Sequence, residues 1–193
     1  MKRKFLLNLC LFPISLLPVG FFQLNIFNLI SSPSVHATNW NAYNKNVENG
    51  GRNLNNGNYQ KAIDFYNKAL NIYKKDGAIF YNRALSNYEL GNYKEAIEDY
   101  KEALNLEDKM RSAITHLNIG NSFKEIEEFE KALFHFNKAI SIKPNEGFYY
   151  QDRGYLYWEL DKWDEALKDF ETAKSKFLKK KEKINEYFYN DIG

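Results

Sequence analysis

The residues of this chain that could perform chemistry are few in kind. Cys10 is the single cysteine, so a disulfide framework is excluded and the only thiol lies near the start. His116 and His135 are close enough in sequence to meet as metal ligands from neighbouring helices. A zinc site takes three or four protein ligands, however, and no third accompanies them. His116 falls at a place where aromatic packing is expected, so a packed histidine is its expected role. The phosphate-cradling G-x-x-x-x-G-K pattern, the H-E-x-x-H zinc helix and the G-x-S-x-G nucleophile turn are all absent. Asp and Glu side chains share faces with lysines, the pattern of solvated helix surfaces. No catalytic, metal-binding or cofactor-binding residue is expected, and the chain is not expected to be an enzyme.

What remains for the side chains to do depends on the elements that position them. The chain has 193 residues, 44% apolar, 27% charged and 17% aromatic, with four prolines, a composition that folds. The formal charge of +2 includes Lys2, Arg3 and Lys4, which lie in a segment expected to be removed; without them 24 basic residues face 25 acidic ones, about −1. A near-neutral chain has no general attraction for phosphate backbones, and nucleic acid is not an expected partner.

A shift of 34 residues lays Gly57 on Gly91, Tyr59 on Tyr93, Ala62 on Ala96, Tyr66 on Tyr100, Ala69 on Ala103 and Leu70 on Leu104. A further 36 brings in Phe129, Ala132, Phe136 and Ala139, and another 34 adds Trp163, Ala166, Phe170 and Ala173. A period of that length is the mark of a solenoid. The two extra residues fall within Glu107 to Ser112, a charged turn where insertion is tolerated. The paired alanines are seven apart with the aromatic four after the first, so all three share one helical face: the alanines admit a close neighbour and the ring fills the space beside them. A preceding helical stretch, such as Ala78 to Leu90, ends at Gly91, and Asn92 with Glu95 has the form of a capping box. The expected unit is helix, turn, helix.

These residues resemble the tetratricopeptide repeat, whose pattern is an aromatic, Leu-Gly and Tyr in the first helix, then Ala, an aromatic, Ala and Pro in the second. The frame gives Phe80, Arg83, Ala84, Asn87, Ala96, Tyr100, Ala103 and Asp108 in the second repeat. It gives His116, Ile119, Gly120, Phe123, Ala132, Phe136, Ala139 and Pro144 in the third, and Tyr150, Arg153, Gly154, Tyr157, Ala166, Phe170, Ala173 and Leu178 in the fourth. The resemblance implies an all-α superhelix of four repeats at 43–76, 77–110, 113–146 and 147–180, after a short leader at 38–42. The first repeat matches only in its second helix; Gly50, Gly51 and several asparagines predict a frayed first helix, as terminal repeats often have.

In this family first helices line a concave groove, and the resemblance implies partner-binding residues at places two, five, six, nine and twelve. These are Tyr81, Asn82, Leu85 and Tyr88; then Ile114, Leu117, Asn118, Asn121 and Lys124; then Phe148, Gln151, Asp152, Tyr155 and Trp158. Rings with interspersed amides suit an extended peptide or a helix. The carboxylate clamp of chaperone-binding relatives is not expected, because Val47, Ile114 and Asp152 stand where it needs cations or amides. Arg83 and Arg153 replace the family's leucine, and a lone buried guanidinium is costly. Asp99 and Asp169 follow them sixteen residues later, whereas the repeats with Asn49 and Ile119 at that place carry Phe65 and His135. An Arg–Asp pair within each of the two repeats is therefore expected.

The termini carry separate expectations. Residues 1–37 read as a secretory signal, with Lys2, Arg3 and Lys4 ahead of an apolar run from Phe5 to about Ile30 and Val35-His36-Ala37 as the cleavage site. Pro13, Pro18, Asn25 and Asn28 weaken the alternative of an uncleaved membrane anchor. Ile184, Tyr187 and Phe188 share a face at 181–193, which suits a capping helix, beside a solvated run of lysines. The whole reads as an exported scaffold or assembly factor of the periplasm, a thylakoid lumen or the cell exterior, binding a protein partner in its groove. The alternative reading is a membrane-tethered structural subunit of an envelope or photosynthetic membrane complex.

Overall fold

The computed structural model describes residues 35–106 and 112–190, the side chains of 35–38 and 182–190 excepted. The signal expected at 1–37, but for its last three residues, and most of the turn expected to hold the two-residue insertion lie outside them. The described residues form eight helices: α1 (Val35–Asn55), α2 (Tyr59–Ile72), α3 (Gly77–Glu89), α4 (Tyr93–Leu106), α5 (Ser112–Glu125), α6 (Phe129–Ile142), α7 (Gly147–Glu159) and α8 (Trp163–Asn190). Each odd helix packs most heavily on the even helix that follows it, and each even helix then packs on the next odd one. Contacts beyond these neighbours are sparse, as a one-dimensional stack requires.

The recurring faces explain the stacking. Ala62, Tyr66 and Ala69 in α2, Ala96, Tyr100 and Ala103 in α4, and Ala132, Phe136 and Ala139 in α6 are all fully buried. Each aromatic ring lies against a small residue sixteen positions earlier, on the partner helix. A Cβ added at Gly120 would come within 2.6 Å of the Phe136 ring, and one at Gly154 within 2.9 Å of the Phe170 ring. Gly50 stands in the same relation to Tyr66. The expectation of a frayed first helix is corrected on this point: α1 runs unbroken from Val35 to Asn55, because close packing on Tyr66 outweighs the low helix propensity of Gly50.

Within each repeat the two helices are joined by the same turn. Gly57, Gly91, Glu127 and Asp161 all adopt left-handed backbone, with φ of 73°, 77°, 60° and 57°. The amide after each of them donates to a carbonyl five residues back, as Asn92 does to Asn87 and Glu128 to Phe123, both at 2.9 Å. This is the Schellman closure of a helix, for which glycine is the least strained residue.

Two of the junctions between repeats carry a polar clasp. Arg83 Nε and Nη2 donate to Asp99 Oδ2 and Oδ1 at 2.8 and 2.6 Å, while Nη1 donates to Asn67 Oδ1 at 2.6 Å. Seventy residues on, Arg153 holds Asp169 at 2.7 Å twice and Asn137 at 2.5 Å. Each guanidinium thus ties its own repeat's second helix to that of the repeat before. At the α4–α5 junction the arginine place is taken by Ile119, fully buried. The clasp thus recurs at alternate junctions, seventy residues apart.

The tail expected to cap the stack continues α8 without a break, so the last repeat's second helix and the tail are one 28-residue element. Lys176 and Lys180 tie it to Asn145 and Glu146 at the α6–α7 turn, at 3.1 and 3.0 Å. The face of Ile184, Tyr187 and Phe188 lies outside the described side chains. Among the described residues no helix is long and apolar enough to cross a membrane.

Candidate functional site: a hollow on the first helices of repeats two to four

Residues of α3, α5 and α7 converge on one hollow of about 380 Å³, lined by Tyr88, Asn121, Lys124, Asp152, Tyr155, Trp158 and Glu159. Six of these stand at places that the resemblance implied for the groove. Asn121 Nδ2 donates to Asp152 Oδ2 at 3.5 Å, and Lys124 Nζ lies 3.4 Å from Glu159 and 3.7 Å from Glu125. Trp158 and Tyr155 remain 55% and 48% exposed, although burying such rings is a large source of stability. Each has one edge-on ring neighbour, Trp163 and Phe170 respectively. Burial raises the Asp152 carboxyl above its usual range, with the Asn121 bond and Lys124 opposing it. The Tyr88 hydroxyl is pushed up to about 12, by burial first and then by carboxylates including Glu125, Glu89 and Asp152.

The other implied groove residues have different surroundings. Leu117 is a correction: at 5% exposure it belongs to the core, since an apolar side chain on that turn of α5 packs inward. Tyr81, Leu85, Ile114 and Phe148 are half-buried and pack against the same core. Asn118 Nδ2 donates to Tyr81 Oη at 3.0 Å, which fixes both side chains instead of leaving them open to a ligand. Asn82 is half-buried and its carbonyl accepts the Ser86 hydroxyl at 3.0 Å. Gln151 faces a second hollow with Phe170, Lys174, Phe177 and Leu178. Glu159 is the residue that sequence reasoning missed; the signal was there, since Glu89, Glu125 and Glu159 each close the first helix of a repeat.

His116 and His135 do meet, with their Nδ1 atoms 3.0 Å apart. Burial lowers both imidazoles, His135 to about 4, with His116 and Lys101 adding to the effect on His135 and Lys138 to that on His116. Both are thus neutral near pH 7, and one N–H donates to the other ring's lone pair. Among the described residues no group of three His, Cys, Asp or Glu side chains is placed to hold a metal ion.

A stack of helical hairpins with an aromatic-lined hollow on its first helices defines an all-α repeat solenoid. Residues 53–76 and 76–145 match descriptions of the tetratricopeptide repeat. Stress-induced-phosphoprotein 1 of Caenorhabditis elegans is 32% identical over 62 residues, and the match spans only 19% of that protein. A crystal structure of MamA superposes with a TM-score of 0.67 at 25% identity, over 72% of this chain and 81% of that one. YrrB, described as a TPR protein with an unusual peptide-binding site, gives 0.58 at 20% identity, over 68% of this chain and 66% of that one. The Arabidopsis OM64 TPR domain gives 0.57 at 21%, over 63% and 98%. The fold is that of proteins serving protein–protein interaction.

Proposed function

We propose that this chain is a non-catalytic, extracytoplasmic scaffold or assembly factor that holds a segment of a partner protein in the hollow between α3, α5 and α7. The observation carrying this reading is the pair of exposed rings, Tyr155 and Trp158, flanking the half-buried Asp152. Rigid aromatic side chains left open beside polar groups are what a peptide-binding surface uses, because rings give contact area at little entropic cost. The extracytoplasmic placement rests on residues 1–37 alone, with their basic start, apolar run and small residues before Thr38.

Crosslinking of the full chain in its native envelope, followed by pull-down, tests the groove. Partners recovered with the native chain should be lost with Tyr155→Ala and Trp158→Ala and kept with Leu178→Ala, whose side chain lies in the other hollow. Recovery of the same partners with all three variants overturns the assignment. Tyr81→Ala is a poor probe, since it also removes a core contact and the Asn118 bond. Mass spectrometry of the exported protein tests placement: an intact Met1 or an N-terminus other than Thr38 refutes the cleavage site.

A further inference from the structure

The hollow carries a charge imbalance that its own contacts leave unresolved. Glu89, Glu125 and Glu159 are the last residues of α3, α5 and α7, where the helix dipole already presents its negative end and a carboxylate is disfavoured. Of the three, Glu159 lines the hollow, and the half-buried Asp152 adds a second lining carboxylate, whose hydrogen bond is a long one from a neutral amide. Lys124 is the single cation of the lining, and it already lies between Glu125 and Glu159. Burial is the first cause of the rise of both the Asp152 carboxyl and the Tyr88 hydroxyl; at Asp152 the Asn121 bond and Lys124 oppose it, and at Tyr88 nearby carboxylates add to it. Beside it stand the open faces of Tyr155 and Trp158, and an aromatic face attracts a cation.

We infer that the hollow receives a lysine or arginine side chain of the bound partner segment, with its cation on Asp152 and its aliphatic stem along Trp158 and Tyr155. This rests on the groove reading above and adds the chemistry of the occupant. A basic side chain relieves the desolvated carboxylate, and its stem covers ring surface otherwise in contact with water. An acidic or C-terminal group would meet the carboxylates of Asp152 and Glu159 and a lysine already engaged.

The test uses the full chain and a phage-displayed library of random peptides, with affinities of the recovered sequences then measured by calorimetry as synthetic peptides. Recovered peptides should share one lysine or arginine, and replacing that residue by methionine should weaken binding roughly tenfold to a hundredfold. Asp152→Asn should weaken the parent peptide by a similar factor and the methionine peptide hardly at all, and Glu159→Gln should act in the same direction with a smaller factor. Circular dichroism of each variant should match the native chain. Peptides that need Trp158 but share no basic residue, or bind Asp152→Asn unchanged, overturn the cation and leave the groove standing. Peptides indifferent to Trp158→Ala, or no peptide retained above an unrelated helical protein, overturn both.

Discussion

Arg153 grips Asp169 through two parallel N–H···O bonds of 2.7 Å, and the carboxylate so held is only 4% exposed. Removing one partner of such a pair leaves the other buried without compensation, which costs about 3–5 kcal/mol. Arg153→Leu should therefore lower the urea midpoint strongly, and Arg153→Leu with Asp169→Leu should regain most of the loss. Asn137→Ala, which removes only the third contact, should cost about 1 kcal/mol. Equal losses for the single and double variants would show that the pair is not the unit of stability.

The four left-handed turn residues differ in how well they suit their backbone. Glu127 and Asp161 hold φ of 60° and 57°, a conformation that costs a side-chain-bearing residue about 1 kcal/mol relative to glycine. Glu127→Gly should raise stability by about that amount. Asp161→Gly should gain less, because aspartate tolerates the conformation better. Thermal melts of the two variants beside the native chain check both the sign and the order.

The neutral histidine pair makes the third repeat sensitive to acid. His135 titrates near 4 in the fold and near 6.5 when unfolded, so the unfolded chain binds the extra proton first. Its contribution is complete above about pH 6.5 and is lost as pH falls toward 4. His135→Phe, which copies Phe65 of the first repeat, should flatten the stability profile across that window. Denaturant midpoints at pH 7, 5.5 and 4 measure it, and an unchanged slope would refute the pair as the source.

Trp158→Ala and Tyr155→Ala should change stability by no more than about 0.5 kcal/mol, because both rings are about half exposed. Gly50→Ala should be costly, since the new methyl group would collide with the Tyr66 ring. That contrast separates side chains kept for a partner from those kept for the fold, and denaturant titration of the three variants reads it directly.

Much of this was open to reading in the sequence because burial imposes it. The spacing of Ala62, Tyr66 and Ala69 and its three copies gave the helical face, the period and the hairpin order. The arginine and aspartate sixteen apart, present in two repeats and jointly missing from two, pointed to a contact between them. Asn67 and Asn137 escaped notice although each stands sixteen residues before its arginine, because that bond crosses from one repeat to the next. Gly50 has low helix propensity by itself, and its role in an unbroken helix depends on the ring of Tyr66, a contact that local propensity does not carry. Within the groove, Asp152, Tyr155 and Trp158 could be named from the frame, whereas Leu117 shows that a frame position does not override an apolar side chain's tendency to turn inward.

The seventy-residue recurrence of Asn67, Arg83 and Asp99 bears on a hazard of arrays built from near-copies, which is stacking in the wrong order. Were the fourth repeat to dock directly on the second, Arg153 would meet Lys101, the counterpart of Asn137, and two cations would face each other at the solvent-facing rim of the seam. Were the third to dock on the first, Asn67 would find Ile119 in place of a guanidinium. The clasp thus works as a key cut differently at alternate seams: it adds little adhesion to the correct assembly and makes the shuffled ones expensive.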